Sequence, residues 1–423
     1  GACSTQEGTP CRRRHPDRCN NSTNVGGGIV LRHIPRCGAG LFSASGVWKS
    51  FANNKPEGTP MKRTIALATC ALVALAATTS AGAADEKLIA AAKAEGKVVV
   101  YSITSRISKA AVAFEKKYGI KVEASNLKDG ELIEKISKEV GGGIAGADFV
   151  IAQDSGRVYG QLIATKLLVN HVPDAMQKVI PKEFQNPLVF QYINKVFMFN
   201  SEKSKAPVIK NVWEVTEPRM KGLVQFKDPK LEGVNANFLT MVTSPEWAAK
   251  LDQAYQDLYG KKLVLTTKNA GYEWIKRMFK NGLVLGNSDT TIAENIGIKG
   301  QAATPMGLAV FSKTRFDEKK NLALAAMPDV KPFAGFIYPA FVMLTRNAAH
   351  PNAAKLFVEY LLTPEGFAPW SADVGSYSSN PGIAVDADDK PVAYWMPRLV
   401  PENPKYIFEN RAEVEEFVNN IAY

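Results

Sequence analysis

The stretch "KVVVYSITSRISKAAVAFEKKYGIKVEAS" (Lys97–Ser125) changes its apolar period twice. Lys97 to Ile103 is a short β-branched run of the kind that forms a strand buried on both faces. Ile107, Ala111, Phe114 and Tyr118 then recur at spacings of four, three and four, which puts them on one face of a helix that stops at Gly119. Ile120 and Val122 alternate as the start of a second strand. A strand, a crossover helix and a second strand imply parallel pairing, and parallel sheets are stable only when helices cover both faces.

Working outward, the same alternation continues. Leu132, Ile133, Ile136 and Val140 line a second helix closed by Gly141 to Gly143, "ADFVIAQ" (147–153) is a third strand, and a helix carrying Val158, Leu162 and Leu167 follows. Upstream, "DEKLIAAAKAEG" (85–96) is rich in helix formers and ends at Gly96. Downstream, "NKVFMFN" (194–200) is a strand crossing out of the first αβ lobe. A second αβ region follows, with Trp213, "GLVQFKDP" (222–229), and helical stretches around 247–258 and 271–279. "GFIYPAFVML" (335–344), punctuated by Pro339, suits a return crossing. "HPNAAKLFVEYLLTPEGF" (350–367) packs Ala354, Phe357, Leu361 and Leu362 on one helical face, with Pro351 early in the helix and Thr363-Pro364 as its stop. The expected organisation is lobe 1 from 84–193 plus 345–423 and lobe 2 from 194–344.

Before this αβ body lies a different kind of sequence. Lys62 and Arg63 precede an apolar run from Ile65 to Ala77 and an Ala81-Gly82-Ala83 cut site, the pattern of a secretory signal at 61–83. The run falls short of the roughly 20 apolar residues that span a bilayer. The expected processed chain begins at Ala84. Residues 1–60 show no helical or strand periodicity and read as a mistranslated or disordered leader. Pro56-Glu57-Gly58 can be encoded by a ribosome-binding sequence just upstream of the Met61 codon.

Composition narrows the function. All five cysteines, Cys3, Cys11, Cys19, Cys37 and Cys70, precede Ala84, so the processed chain has neither a disulfide scaffold nor a cysteine metal cluster. Residues 1–83 hold ten Lys or Arg and three Asp or Glu, so they carry +7 of the net +11 and leave +4 for the remainder. That spread excess is not the clustered basic face of a nucleic-acid binder, but it is compatible with a small anionic ligand. After Ala84 there is no G-x-S-x-G elbow, P-loop, H-E-x-x-H or cysteine nucleophile, and His171 and His350 are the only histidines. An enzyme is not expected.

As an ordered set, "LIAAAKAEGKVVVYS", "AFEKKYGIKVEAS", "VWEVTEPRMKGLVQFKDP" and "HPNAAKLFVEYLLTPEGF" resemble the ferric-iron-type periplasmic substrate-binding proteins of ABC importers. The resemblance implies an α/β, two-lobed periplasmic-binding-protein-like (type II) fold, with a central sheet in each lobe and crossing hinge strands. It implies a monomer in the periplasm that captures a solute between its lobes and delivers it to a membrane permease. Iron-binding members hold the metal with an adjacent tyrosine pair in the second lobe. The corresponding region here, "GQAATPMGLAVFSKTRF" (300–316), has none, and Phe311 offers no oxygen to a hard ferric ion. The expected ligand is therefore a small polar or anionic solute, with no cofactor and no metal. Alternatives are a ferric iron-binding protein of the same family, a sensory module, or a secreted enzyme.

In open αβ sheets ligands bind outside the carboxyl ends of the strands, which picks out particular loops. Ser102, Thr104 and Ser105 lie where the first strand meets a helix N-terminus, and Arg106 adds a fork matched to carboxylate or phosphate. The hydroxyls fit either ligand contact or helix capping. Asp154 and Ser155 hold the matching place after the third strand, again as ligand contacts or caps. Asn287, Ser288 and Asp289 in "GNSDTT" (286–291) fit a binding loop or an ordinary turn and cap. Tyr338, beside the return crossing, fits a stacking surface or the core. Asn235 and Asn237 are expected just before a helix, as caps.

Overall fold

The computed structural model describes residues 85–422; the signal segment and the leader expected from sequence lie outside them. The opening elements form where the periodicity puts them. Helix α1 (Glu86–Glu95) is capped by Asp85, whose carboxylate accepts the Lys87 N–H at 3.0 Å, and leads into β1 (Lys97–Ser102). Helix α2 (Ile107–Tyr118) buries Ile107, Ala111 and Phe114, and Gly119 ends it at φ +72, where a side chain would be strained. Then come β2 (Lys121–Asn126), α3 (Asp129–Gly141) and β3 (Phe149–Ala152). Val98 and Val100 of β1 pack with Phe114, while Tyr101 on the opposite face packs with Leu132 and Ile136 of α3.

After β3 the structure departs from a plain helix. A short α4 (Ser155–Arg157) runs into a π-turn over Val158–Ile163, and Leu167 N–H bonds to Leu162 C=O, five residues back. Leu162 and Leu167 are five apart, not four, so the widened turn is what returns Leu167 to the buried face.

The rest of the chain supplies β4 (Leu168–Val169), the long β5 (Val189–Asn200), β6 (Val224–Lys227), α5 (Gly233–Val242), α6 (Pro245–Tyr259), α7 (Ala270–Lys280), β7 (Val284–Gly286), α8 (Asp289–Gly297) and β8 (Met306–Val310). These are followed by α9 (Phe316–Lys320), β9 (Leu324–Ala326), β10 (Gly335–Thr345), α10 (Pro351–Leu361), α11 (Pro364–Ser371), β11 (Ser376–Ser378), α12 (Val392–Trp395), β12 (Val400–Pro401) and α13 (Pro404–Ala422). Thr363 stops α10 by capping α11, its hydroxyl accepting Gly366 N–H at 3.2 Å. Asn235 and Asn237 do not precede a helix. They lie inside α5, fully buried, because their amides bond to charged side chains and the helix starts at Gly233.

The backbone of the sheet runs β2-β1-β3-β10-β5-β8-β6-β7. Its two ends are parallel, β2-β1-β3 and β8-β6-β7, and the antiparallel pair β10-β5 joins them. Strand β5 pairs with β10 through Val189–Val196 and with β8 through Lys195–Phe199, so it crosses from one half to the other, and β10 returns. This is a curled α/β sheet in two lobes hung on two crossing strands. The first half is sandwiched by α1, α2, α10 and α11 on one face and α3 on the other. The second half has α5, α6 and α7 on one face and α8 with Trp395 on the other.

Aromatic side chains fill both lobes. Phe114 stacks on Phe357 with ring centres 4.3 Å apart, and Phe238 on Phe336 at 4.7 Å. Trp213 and Trp274 are fully enclosed and satisfy their indole N–H groups on the Leu251 and Val212 carbonyls, at 2.8 and 3.0 Å, so their burial leaves no polar debt. Among the described residues, no helix is long and apolar enough to cross a membrane.

Candidate ligand cleft between the lobes

The loops that leave the carboxyl ends of β1, β2, β3, β6 and β7 converge. A cavity of about 470 Å³ is walled on one side by Ile103, Asp129 and Gln153 and on the other by Lys227, Glu232 and Asn287. The first three follow strands of the first lobe and the last three follow strands of the second. The parallel strands at the two ends of the sheet thus direct their carboxyl ends to one crevice.

On the first-lobe side the β1 loop is held by its own hydroxyls. Ser102 Oγ is buried and exchanges bonds with the Thr104 backbone, accepting its N–H at 3.2 Å and donating to its C=O at 3.3 Å. Thr104 Oγ1 accepts the Arg106 N–H at 3.3 Å, and Ser105 is exposed. Arg106 stands at the start of α2 and ion-pairs with Asp373 in the loop after α11. Arg315, from the turn after β8 in the other lobe, reaches the same carboxylate at 3.1 Å. Lys313 of that turn donates to Thr290 Oγ1 at 3.0 Å. Burial lowers the Lys313 pKa most, partly offset by Asp289, and Arg315, Arg106 and Lys195 lower it further. Two guanidiniums from opposite lobes therefore share the Asp373 carboxylate, with the Lys313 ammonium beside them.

Asp154 takes the left-handed conformation at φ +59 and is nearly inaccessible; both its oxygens accept from Arg411 Nη1 of α13, at 2.7 and 2.8 Å. Ser155 is fully buried, with no hydrogen-bond partner on its Oγ among the described residues. Arg411 also donates to Asn237 Oδ1 at 3.2 Å, and Asn237 Nδ2 donates to Glu402 Oε1 at 3.0 Å. Glu402 Oε2 is enclosed without a partner, and burial pushes this carboxyl up to about 8.

The second-lobe side centres on Lys195 of β5, which is wholly buried. Its ammonium bonds Glu232, Asn235 Oδ1 at 3.1 Å and Asp289 Oδ1 at 3.1 Å. Lys227 closes the group, 3.1 Å from Glu232 and 3.5 Å from Asp289. Asp289 stays ionised there: burial works against the charge, but Lys195, Lys227 and the Val310 N–H hold its pKa below the usual range. Two lysines and two carboxylates make a neutral, enclosed knot that fastens the starts of α5 and α8 to the crossing strand. Ser288 caps α8 through Thr291 N–H at 3.0 Å, and Asn287 is exposed on the cavity wall. Tyr338 packs its ring 5.7 Å from Phe336 in the core, and burial, then Glu232, Asp289, Asp129 and Glu402, keep its hydroxyl protonated.

Residues 109–396 match the bacterial extracellular solute-binding protein family. The chain belongs to that family. A protein of Haemophilus influenzae, named only as uncharacterised, is 25% identical over 310 residues, covering 70% of this chain and 81% of that one. Among solved structures, iron-bound HitA from Pseudomonas aeruginosa superimposes with a TM-score of 0.59 at 19% identity, covering 77% of this chain and 99% of that chain. AfuA from Actinobacillus pleuropneumoniae, with fructose-6-phosphate bound, gives 0.58 at 18% identity over 77% and 98%. An extracellular solute-binding protein from Bordetella parapertussis gives 0.59 at 14% over 78% and 100%. At these identities the likeness is one of fold, and it is the type II periplasmic binding fold. This family member carries Phe311 packed on Trp395, ring centres 5.2 Å apart, beside the cationic turn at Lys313 and Arg315.

The structure brings Arg106 to the lobe junction together with residues that the sequence reading did not single out: Lys195, Lys313, Arg315 and Asp373. Ser102 and Thr104 shape the loop that carries Arg106, and Ser105 and Asn287 remain exposed. Asp154 and Ser155 lie toward α13. One signal was available for Lys195: a charge inside the apolar run "YINKVFMFN" has to meet a counter-charge on burial. None existed for Asp373, which sits far along the chain from both of its arginines.

Proposed function

We propose that this chain is the periplasmic solute-binding component of an ABC importer and that its cleft takes a small anionic solute. One observation carries the choice of charge: Arg106 from the first lobe and Arg315 from the second meet over the single carboxylate Asp373, with Lys313 of the same turn close enough to be affected by both. An anion entering there would gain charge-assisted bonds to guanidinium forks from both lobes, which is the differential contact that closure of a hinged pair requires. The signal pattern at 61–83 supports export, and the missing nucleophile-base pairs support binding without turnover. The two lobes are residues 84–193 with 345–423, and 194–344. Helix α13 ties them, burying Val414 and Val418 against the second-lobe core while Arg411 holds Asp154. The working state is a monomer that docks on a permease.

The test is a thermal-shift and calorimetric screen of the chain against phosphate esters, carboxylates, neutral sugars, polyamines and ferric citrate. A ligand that binds only the folded state raises the melting temperature. Stoichiometric binding of an anion without turnover, weakened in Arg106→Ala and Arg315→Ala, is expected. Tight binding confined to neutral or polycationic compounds would refute the assignment.

A further inference from the structure

The cleft is not uniform in charge along its length. At the Arg106 end two guanidiniums share Asp373, and Lys313 lies beside them, balanced in part by Asp289. In the middle, Lys195 and Lys227 balance Glu232 and Asp289. Beyond that knot, at the start of α3, stands Asp129, which lines the 470 Å³ cavity opposite Lys227 and Glu232. One of its oxygens accepts from Gln153 Nε2 at 2.8 Å, while Oδ1 is sealed from solvent and has no partner among the described residues. Lys227 lies between Glu232 and Asp289, and Arg157, near Gly130, bonds Gln161 rather than Asp129. Lys128, next to it, is exposed. Asp129 thus has no ion-pair partner among the described residues, and it lines a cavity whose walls do not include Arg106, Lys313 or Arg315.

A half-buried carboxyl beside a cavity, with one oxygen enclosed and lacking a donor, is unfavourable unless movement of the lobes brings a donor to it. Its pKa is pushed up to about 7, by burial first and then by Glu232 and Asp154, against the Gln153 bond and Lys227. A neutral hydroxyl would satisfy the free oxygen, but an ammonium would also supply the missing charge.

We infer that the cleft is built for a dipolar solute, whose anionic group lies on Arg106, Lys313 and Arg315 and whose ammonium group is read by Asp129. This rests on the anion reading above. It adds that Asp129 is the residue that sets specificity, rejecting otherwise identical anions that lack the positive end. An enclosed ion pair of this kind favours its partner chiefly by leaving the wrong ligand's counterpart unpaired.

Calorimetric titration with two matched pairs tests it: phosphoethanolamine against glycerol phosphate, and 4-aminobutyrate against 4-hydroxybutyrate. In at least one pair the ammonium member should bind about tenfold tighter or more, as expected for a partly desolvated charge pair. Asp129→Asn should remove that preference while the melting curve of the free protein shows an intact fold. Equal binding of both members in the wild type would overturn the inference and leave the anion reading standing, as would a preference that survives Asp129→Asn. Failure of all four compounds to bind would overturn both. The wild-type comparison decides the matter even if the variant does not fold.

Discussion

Glu402 offers a quantitative check on the packing between α13 and the lobes. Its Oε1 accepts from Asn237 Nδ2 at 3.0 Å, its Oε2 is enclosed without a partner, and its pKa rises from the ordinary 4.5 to about 8. Burial is the main cause and Asp154 adds to it, against the Asn237 bond, the nearby Ser155 hydroxyl and Arg411. The folded protein therefore holds the proton where the unfolded chain has lost it. A raised carboxyl pKa means that stability falls as pH climbs from the unfolded to the folded value, here between 4.5 and about 8. At about 1.4 kcal/mol per pH unit, the loss amounts to at most about 3 kcal/mol at pH 7. Glu402→Gln keeps the shape and the Asn237 contact but has no proton to lose. The variant should match or slightly trail the wild type near pH 5 and gain on it progressively up to pH 8. Denaturant unfolding followed by tryptophan fluorescence at pH 5, 7 and 8 gives the difference directly. A difference between the two proteins that stays constant across that range would refute the argument, since it would mean that Glu402 is ionised in the native state.

The remaining predictions concern the crossing strands and the cleft. Lys195→Met would leave Glu232 and Asp289 buried without their cation and should cost about 3–5 kcal/mol in equilibrium unfolding; adding Glu232→Gln and Asp289→Asn to it should recover much of that. Gly335 sits at φ +148, where a Cβ would lie 2.0 Å from the Lys195 carbonyl oxygen, backbone that has no freedom to yield. Gly335→Ala should therefore lower stability by more than about 3 kcal/mol, and a near-neutral melting curve would show that the two crossing strands can part. Arg315→Ala should weaken anion binding by about tenfold to a hundredfold with little change in the free protein's stability, because its guanidinium is only partly buried.

Much of the architecture was legible because it rests on short-range periodicity. The β-branched run at Lys97, the four-three-four spacing from Ile107 to Tyr118 and the apolar return strand from Gly335 each fix an element locally, and their alternation fixes a parallel sheet. Where the reading slipped, long-range partners had intervened. The five-residue step from Leu162 to Leu167 required a π-turn, which no propensity signals. Asn235 and Asn237 look like caps because asparagine usually serves as one, but Lys195 and Arg411, from distant segments, draw them inside a helix.

The cleft shows the same division. Sequence offered Arg106 as a candidate anion fork from its residue type and its place after a strand, and the fold brings it to the lobe junction on Asp373, while Ser288 behaves as the cap that its position allows. It could not mark Asp373, which the fold brings to Arg106 and Arg315 from the loop after α11, nor single out Asp129 among the acidic residues of its helix. By itself the sequence determined the chain's αβ class and its strand and helix order, because these follow from the spacing of apolar residues, while the likeness of its ordered segments to two-lobed binding proteins implied the lobes. Only the tertiary structure decided which charges are balanced and which are left over, because a charge is compensated by neighbours in space, and the crossing strands bring together residues that the chain holds far apart.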